Sequence, residues 1–323
     1  MSPLKDMLMW AYWYPFRRLI QCLAAPQAYF IAELMGNLLY CIATDKRRAF
    51  EAEAYRILGE ELESSRAAMI VRRAFVHWCR SEAEMFLYPK MNEQNIRTFV
   101  AISGLAHLER ALSAGKGVML LLSHFGANQM IMPAMGYHGY TMSQLSAPAT
   151  VWMEKLSGRK FSRMEQKTLQ MRWRQESFLP VTHINIFGSL KGAFTCLKKN
   201  EILGIAIDGG GGQKRVKVDF LGKHALFSTG AMEIVARTNC MVLPTFMVRS
   251  VQGKSRMIIE EPMEIRNMDR DDFVAVHTQT FATRLEFYVR AYPCHYLQFL
   301  ALRTFMESVD GFPFLLERQK APG

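Results

Sequence analysis

The stretch that decides the fold is Gly117-Val118-Met119-Leu120-Leu121-Leu122-Ser123-His124-Phe125-Gly126-Ala127-Asn128-Gln129. From Gly117 to Leu122 no polar side chain interrupts the run, as expected of a strand covered on both faces, the usual state in a parallel sheet. Ser123 to Gly126 ends the strand, and a helix is expected over 127–136. A histidine at the carboxyl end of a buried strand stands at the rim where α/β sheets bind their ligands. Backbone N–H groups at the start of the next helix are suited to stabilise an oxyanion. A lone histidine can equally be a satisfied structural group, so position alone leaves both readings open.

Working outward, the periodicity predicts further strands near 140–145, 202–207, 215–220, 241–248 and 256–260. Helices fit 104–114, 188–199, 229–238 and 271–290. From 46 to 96 the pattern is helical, with Ile70, Phe75, Trp78, Met85 and Phe86 at helical spacings. Strands alternating with helices give an α/β fold with a mixed, mostly parallel central sheet covered by helices on both faces. With no repeat or long linker, residues 45–323 read as one catalytic domain.

Residues 1–44 differ. Trp10, Tyr12, Trp13, Tyr14 and Phe16 crowd together ahead of Arg17 and Arg18, and 27–43 is apolar except for Gln27, Glu33 and Asn37. Aromatic rings beside basic residues suit a helix lying at a lipid interface, and 17 residues are at the short limit for crossing a bilayer. The segment is therefore expected to be a membrane-associating helical attachment, peripheral or single-pass. A pair of ordinary core helices is the competing reading.

The chain has 323 residues, a formal net charge of +11, and half of its residues are hydrophobic, which excludes low-complexity disorder. The charge calls for an anionic partner. Dispersed basic residues and the lack of nucleic-acid motifs point to a membrane surface or an acidic protein, not nucleic acid. The six cysteines form no Cys-x-x-Cys pair, so neither a disulfide scaffold nor a zinc ribbon is expected. His107, His138, His224 and His295 show no metal-ligand spacing, and no metal site is expected.

Two blocks carry a resemblance. The first is GLAHLERALSAGKGVMLLLSHFGANQ. The second is IAIDGGGGQKRVKVDFLGKHALFSTGAMEIVARTNCMVLPTFMVR, with Asp208, Phe220-Leu221-Gly222, Ser228-Thr229-Gly230 and Val242-Leu243-Pro244. Together they resemble the lysophospholipid acyltransferase superfamily, in its lipid A late acyltransferase (lauroyl and myristoyl transferase) branch. The resemblance implies an acyltransferase on the cytoplasmic face of a bacterial inner membrane. It would move a fatty acyl group from acyl carrier protein or coenzyme A to a lipid-like hydroxyl or amine, with no metal or redox cofactor. It further implies His124 as general base, an acidic residue five positions on to orient it, and a site rim from Phe125, Gly126, Asn128 and Asp208.

This sequence departs from that pattern at the acid, because position 129 is Gln. If a helical turn brings residues 124 and 129 to one side, the Gln129 amide oxygen can accept from the imidazole and fix its tautomer. Three readings stay open: a neutral His124–Gln129 pair, another carboxylate standing in (Asp208 first), or a catalytically silent lipid- or carrier-binding relative. An aminoacyl transferase on the same fold is a further alternative. Arg159, Lys160, Arg163, Arg172 and Arg174, with Lys214, Arg215 and Lys217, are candidates to hold phosphates or an acidic carrier, as plain solvated charges are also placed. Ser228 and Thr229 read first as a helix cap and second as an anion contact. The glycines after Asp208 lack a Gly-Lys-Ser/Thr ending and lead into alternating residues, so a nucleotide loop is not expected. They fit a rim loop or a hairpin turn. In Tyr292–Phe299, Gln298 and the aromatics are candidates to line an acyl channel, with core packing the plainer reading.

Overall fold

A computed structural model of the chain describes residues 3–147, 151, 161–209, 214–250 and 254–316. A seven-stranded sheet occupies its centre in the order β1-β9-β8-β2-β5-β3-β4. These strands are β1 (Val100–Ser103), β2 (Val118–Leu122), β3 (Met142–Ser146), β4 (Thr182–Asn185), β5 (Ile202–Ala206), β8 (Met241–Arg249) and β9 (Ser255–Ile259). Neighbours pair parallel throughout except at β8 and β9, which run antiparallel. A second, antiparallel sheet joins β6 (Arg215–Phe220), β7 (Lys223–Ser228) and β10 (Leu315–Leu316) in the order β10-β7-β6.

The apolar run of β2 does what its composition requires. All five residues are buried between β5 and β8, and successive side chains enter different cores. Met119 and Leu121 belong to one cluster and Val118, Leu120 and Leu122 to the other, so each face of the sheet has its own core. The first cluster packs against α4 (Thr44–Leu58), part of α5 (Ser64–Leu87), α10 (Lys191–Lys198), α11 (Gly230–Thr238), α12 (Arg270–Ala291) and α13 (Leu297–Asp310). The second takes up α1 (Pro3–Ala11), a π-helical turn over Tyr12–Phe16, α2 (Arg17–Cys22) and α3 (Ala25–Ile42). It also contains the rest of α5, α6 (Ile96–Phe99), α7 (Leu105–Ser113), α8 (Ile131–Tyr137) and part of α9 (Arg163–Glu176).

The expected strands and helices are found within a few residues of their predicted ends. The strands the sequence reading did not list are β1, β4, β7 and β10. β1, β4 and β10 are short edge strands, and β7, the middle strand of the small sheet, opens on Lys-His, so apolar alternation is too brief or too weak to mark them.

The N-terminal segment belongs to the second core. Trp13, Ile20, Ala28 and Ala32 are buried, and α3 lies along α5. The opposite face of α3 exposes Phe30, Leu34, Leu38 and Ile42, one side chain per turn, and α1 exposes Leu4, Met7, Leu8 and Trp10. No described helix is long and apolar enough to cross a membrane, which removes the single-pass reading of 27–43 for the described residues.

Candidate active site

β2 ends at Leu122; buried Ser123 follows, and the next residue, His124, turns a partly open side chain, 43 % exposed, to the carboxyl edge of the sheet. β5 runs parallel beside β2 with Leu122 opposite Ala206, so both strands leave the sheet at the same edge. Asp208 therefore arrives next to His124. Its Oδ1 lies 2.7 Å from His124 Nδ1. Its Oδ2 accepts the His124 backbone N–H at 2.8 Å and the Tyr296 hydroxyl at 2.9 Å. An ionised carboxylate only accepts, so Nδ1 carries the proton and the lone pair sits on Nε2, at the far side of the ring. Withdrawal from water lowers the His124 pKa and Arg303 lowers it further. The charge of Asp208 and its hydrogen bond outweigh both, and the net shift is upward.

The imidazole is also fixed through its faces and edge. Phe299 stacks on it at 4.9 Å between ring centres and 8° between planes. At Gly209 a Cβ would stand 3.0 Å from His124 Cε1, so glycine leaves the ring its place. Tyr296 and Phe299 are the site residues that sequence reasoning placed in the core first. Their signal was the aromatic segment 292–299, whose first residues form a short 3-10 turn ahead of α13.

The residues after His124 do not form the expected oxyanion-binding helix start. Phe125 is buried and stacks on His295, with Phe246 and Tyr288 around it. Gly126 has φ +63°, a Cβ there would fall 1.9 Å from the Met247 carbonyl oxygen, and its N–H donates to the His295 carbonyl at 3.0 Å. Phe125 and Gly126 thus seat the loop in the core, and the Gly126 amide is engaged. Asn128 opens a 3-10 turn, Asn128–Met130, before α8 begins.

That turn also corrects the expected pairing of His124 with Gln129. Five residues through a left-handed glycine and a 3-10 turn do not form the α-helical turn that would align them. The Gln129 side chain points instead at α5, where Nε2 donates to the Ser81 carbonyl at 2.5 Å, while the Gln129 backbone carbonyl accepts from Tyr88 Oη at 3.2 Å. Behind it, Arg249 and Glu84 form a buried bidentate pair at 2.6 and 3.0 Å, and Arg249 also donates to Ser81 Oγ. The Arg249 backbone N–H donates to His295 Nε2 at 2.9 Å.

Of the basic candidates, Arg215 lies closest to this cluster in connectivity, donating to the Gly209 carbonyl at 3.0 Å. Lys214 precedes it, exposed, at the start of β6, and Ser228 pairs with Arg215 in the β6–β7 register. Thr229 stands at the N-cap position of α11 without a side-chain cap bond, and its hydroxyl donates to the Glu233 carboxylate at 3.0 Å. Arg172 is elsewhere, on α9, held by Glu82 at 2.5 and 2.7 Å, and Arg163 is exposed at the first turn of the same helix. Neither joins the His124 cluster. Arg159 and Lys160, and Gly210 to Gln213 of the glycine loop, lie outside the described residues.

His77, Cys294 and His295 are a trio whose potential ligand atoms lie within 4.8 Å of one another. The hydrogen bonds argue against metal binding there. His295 Nε2 accepts a backbone N–H, so in the neutral ring Nδ1 holds the proton and faces Cys294 Sγ at 3.4 Å, with no lone pair to give. Burial and then the Arg249 charge pull the His295 pKa down to about 3, keeping the ring neutral.

The model of the family described as bacterial lipid A biosynthesis acyltransferase matches residues 2–303. No curated protein matches the chain. Among solved structures, the 1-acyl-sn-glycerophosphate (LPA) acyltransferase PlsC from Thermotoga maritima is similar at 12 % identity, over 81 % of this chain and 97 % of that one, with a TM-score of 0.37.

Proposed function

The chain belongs to the bacterial lipid A biosynthesis acyltransferase family, and from that premise we propose that it transfers a fatty acyl group from a thioester donor, acyl carrier protein or coenzyme A, to a hydroxyl or amine of a lipid-like acceptor. The observation that carries the mechanism is the 2.7 Å contact of His124 Nδ1 with Asp208. It leaves Nε2 as the base. Nε2 takes the proton of the acceptor hydroxyl as the oxygen attacks the thioester carbonyl, and Asp208 stabilises the imidazolium that results. The tetrahedral intermediate then collapses, the C–S bond breaks, and the departing thiolate recovers the proton from Nε2. The acceptor oxygen gains the acyl group as an ester and the thiol leaves neutral. Asp208 takes the orienting role that the family pattern gives to an acid at position 129, and Gln129 is a positioning residue for the loop.

The silent-relative reading drew its force from Gln129 as the group beside the histidine. With Asp208 at the imidazole, that motive is gone. Lys214 and Arg215, beside the Asp208 loop, are suited to the phosphate of the donor's carrier arm. The exposed apolar faces of α1 and α3, with Arg17, Arg18, Lys46, Arg47 and Arg48 near their ends, fit a helix pair lying on an anionic bilayer, on the cytoplasmic face of the inner membrane.

The test is free-thiol release with acyl carrier protein and coenzyme A donors and a membrane-lipid extract as acceptor, with the acylated product followed by mass spectrometry. Wild type is expected to release thiol and form product, and His124→Ala to do neither. Product formation that survives His124→Ala would sink the mechanism.

A further inference from the structure

We propose that the cavity between the N-terminal helices and α5 binds one unbranched alkyl chain, at a place separate from the His124–Asp208 centre. The cavity is about 420 Å³, and its walls include Leu8, Met9, Phe16, Met35, Leu39 and Trp78. Volumes of about 300–1,000 Å³ take a single ligand of modest size, and this one suits a single alkyl chain. Two methionines in the wall adapt to a chain that bends.

The few polar groups present are already matched. Arg172 and Tyr12 Oη both donate to Glu82, and Lys5 pairs with Glu165 at 2.6 Å. The pairs leave no uncompensated charge to call for an ionic ligand, and little to hold water, which needs two to four polar partners.

The route in is apolar as well. Leu8 both lines the cavity and lies more than half exposed on the face of α1 shared with Leu4 and Met7. α3 roofs the space with Ala32, Met35 and Leu39 while turning Phe30, Leu34 and Leu38 outward. A chain can pass from a bilayer on that surface into the cavity without crossing water. α5 is the dividing wall. Cys79, Glu82 and Ala83 face the cavity, while the Ser81 carbonyl accepts from Gln129 of the loop after His124 and Glu84 pairs with Arg249. No cavity residue touches His124 or Asp208 among the contacts described above. The source of the chain, bilayer lipid or free fatty acid, rests on the membrane-docking reading; the cavity itself does not.

Trp78 in the wall supplies the probe. The full-length protein is titrated with free 9,10-dibromostearate, and separately with phosphatidylglycerol vesicles whose chains carry the same bromines, while vesicle co-sedimentation is measured in parallel. Saturable tryptophan quenching is expected, most of it lost in Trp78→Phe, with the apparent Kd raised at least tenfold in Ala83→Phe. Met35→Phe serves as a second filling variant if Ala83→Phe does not fold. Quenching by the free acid assigns a free fatty acid, and quenching by vesicles alone assigns a lipid chain; both support the site. Quenching by the free acid without co-sedimentation keeps the cavity and overturns only the docking reading. No saturable quenching in either arm, or quenching unmoved by the tryptophan and filling variants, overturns the proposal. So does a rise in donor KM in step with the Kd, which would make the cavity the donor's own chain site.

Discussion

His124 and Asp208 stand 84 residues apart in the chain, yet Nδ1 of the one lies 2.7 Å from Oδ1 of the other, because β2 and β5 are parallel neighbours that end at the same edge of the sheet. Both carboxylate oxygens are occupied, one by the ring and the other by the His124 backbone N–H and Tyr296 Oη. The His124 ring is thus held in one tautomer and one orientation.

The pH dependence of turnover follows from that contact. The folded pKa of His124 is raised, and only the neutral ring acts as base, so the acidic limb of kcat/KM should fall above pH 6.5, the ordinary histidine value. Asp208→Asn should move the limb to lower pH and cut the plateau by up to about 10⁴, the loss that the same change causes in a serine protease triad. For stability the sign is opposite. The pair's contribution is complete below the unfolded pKa and is lost as pH rises through the folded one. A limb that stays in place in Asp208→Asn, read from pH profiles of thiol release, would refute the pairing.

Gln129→Glu restores the family's usual residue type and should not help. It removes the amide donor and sets a carboxylate oxygen against the Ser81 carbonyl, acceptor facing acceptor. The expected cost is about 1–3 kcal/mol of stability, seen as a lower thermal midpoint, with turnover unchanged or reduced. A rise in turnover would return Gln129 to the orienting role.

The buried Arg249–Glu84 pair ties the end of β8 to α5, behind the loop that carries Gly126 and Gln129. Glu84→Leu leaves a buried guanidinium uncompensated and should cost about 3–5 kcal/mol. The double variant Glu84→Leu, Arg249→Met should lose less than the sum of the two single changes, because no charge is left stranded. Denaturant titration of the four proteins decides it, and simple additivity would count against a coupled pair.

The apolar stripe on α3 predicts a separable membrane contact. Leu34→Gln with Leu38→Gln should reduce binding to anionic vesicles at least tenfold, since each leucine contributes about 1.5–3 kcal/mol when fully removed from water. Both side chains are more than half exposed, so the thermal midpoint should hold within a few degrees. Vesicle binding that is unaltered in the double variant would move the contact elsewhere.

Much of this was written in local pattern. The run Val118–Leu122 reads as a strand covered on both faces, and the alternation of strands and helices after it gives the α/β sheet. The position of His124 at the strand's end, and the block that begins at Asp208, also stand in the sequence as candidates. What the local pattern misjudged was the five residues between His124 and Gln129. A spacing states how far apart two residues are along the chain but not which way the backbone turns between them. Here the carbonyl of Met247, on a strand far along the chain, demands glycine at 126, and the turn that follows sends Gln129 to α5.

By itself, then, the sequence determined most of the elements, because these follow from periodicities of two and 3.6 residues, and it carried the histidine and the two blocks that resemble the family. Which acid meets the histidine, which aromatic ring covers it, and which basic residues stand apart from it were decided only by the tertiary structure. Each of those contacts joins segments that strand order brings together across the sheet. Pairing of that kind depends on the burial of two whole faces rather than on any residue near the site.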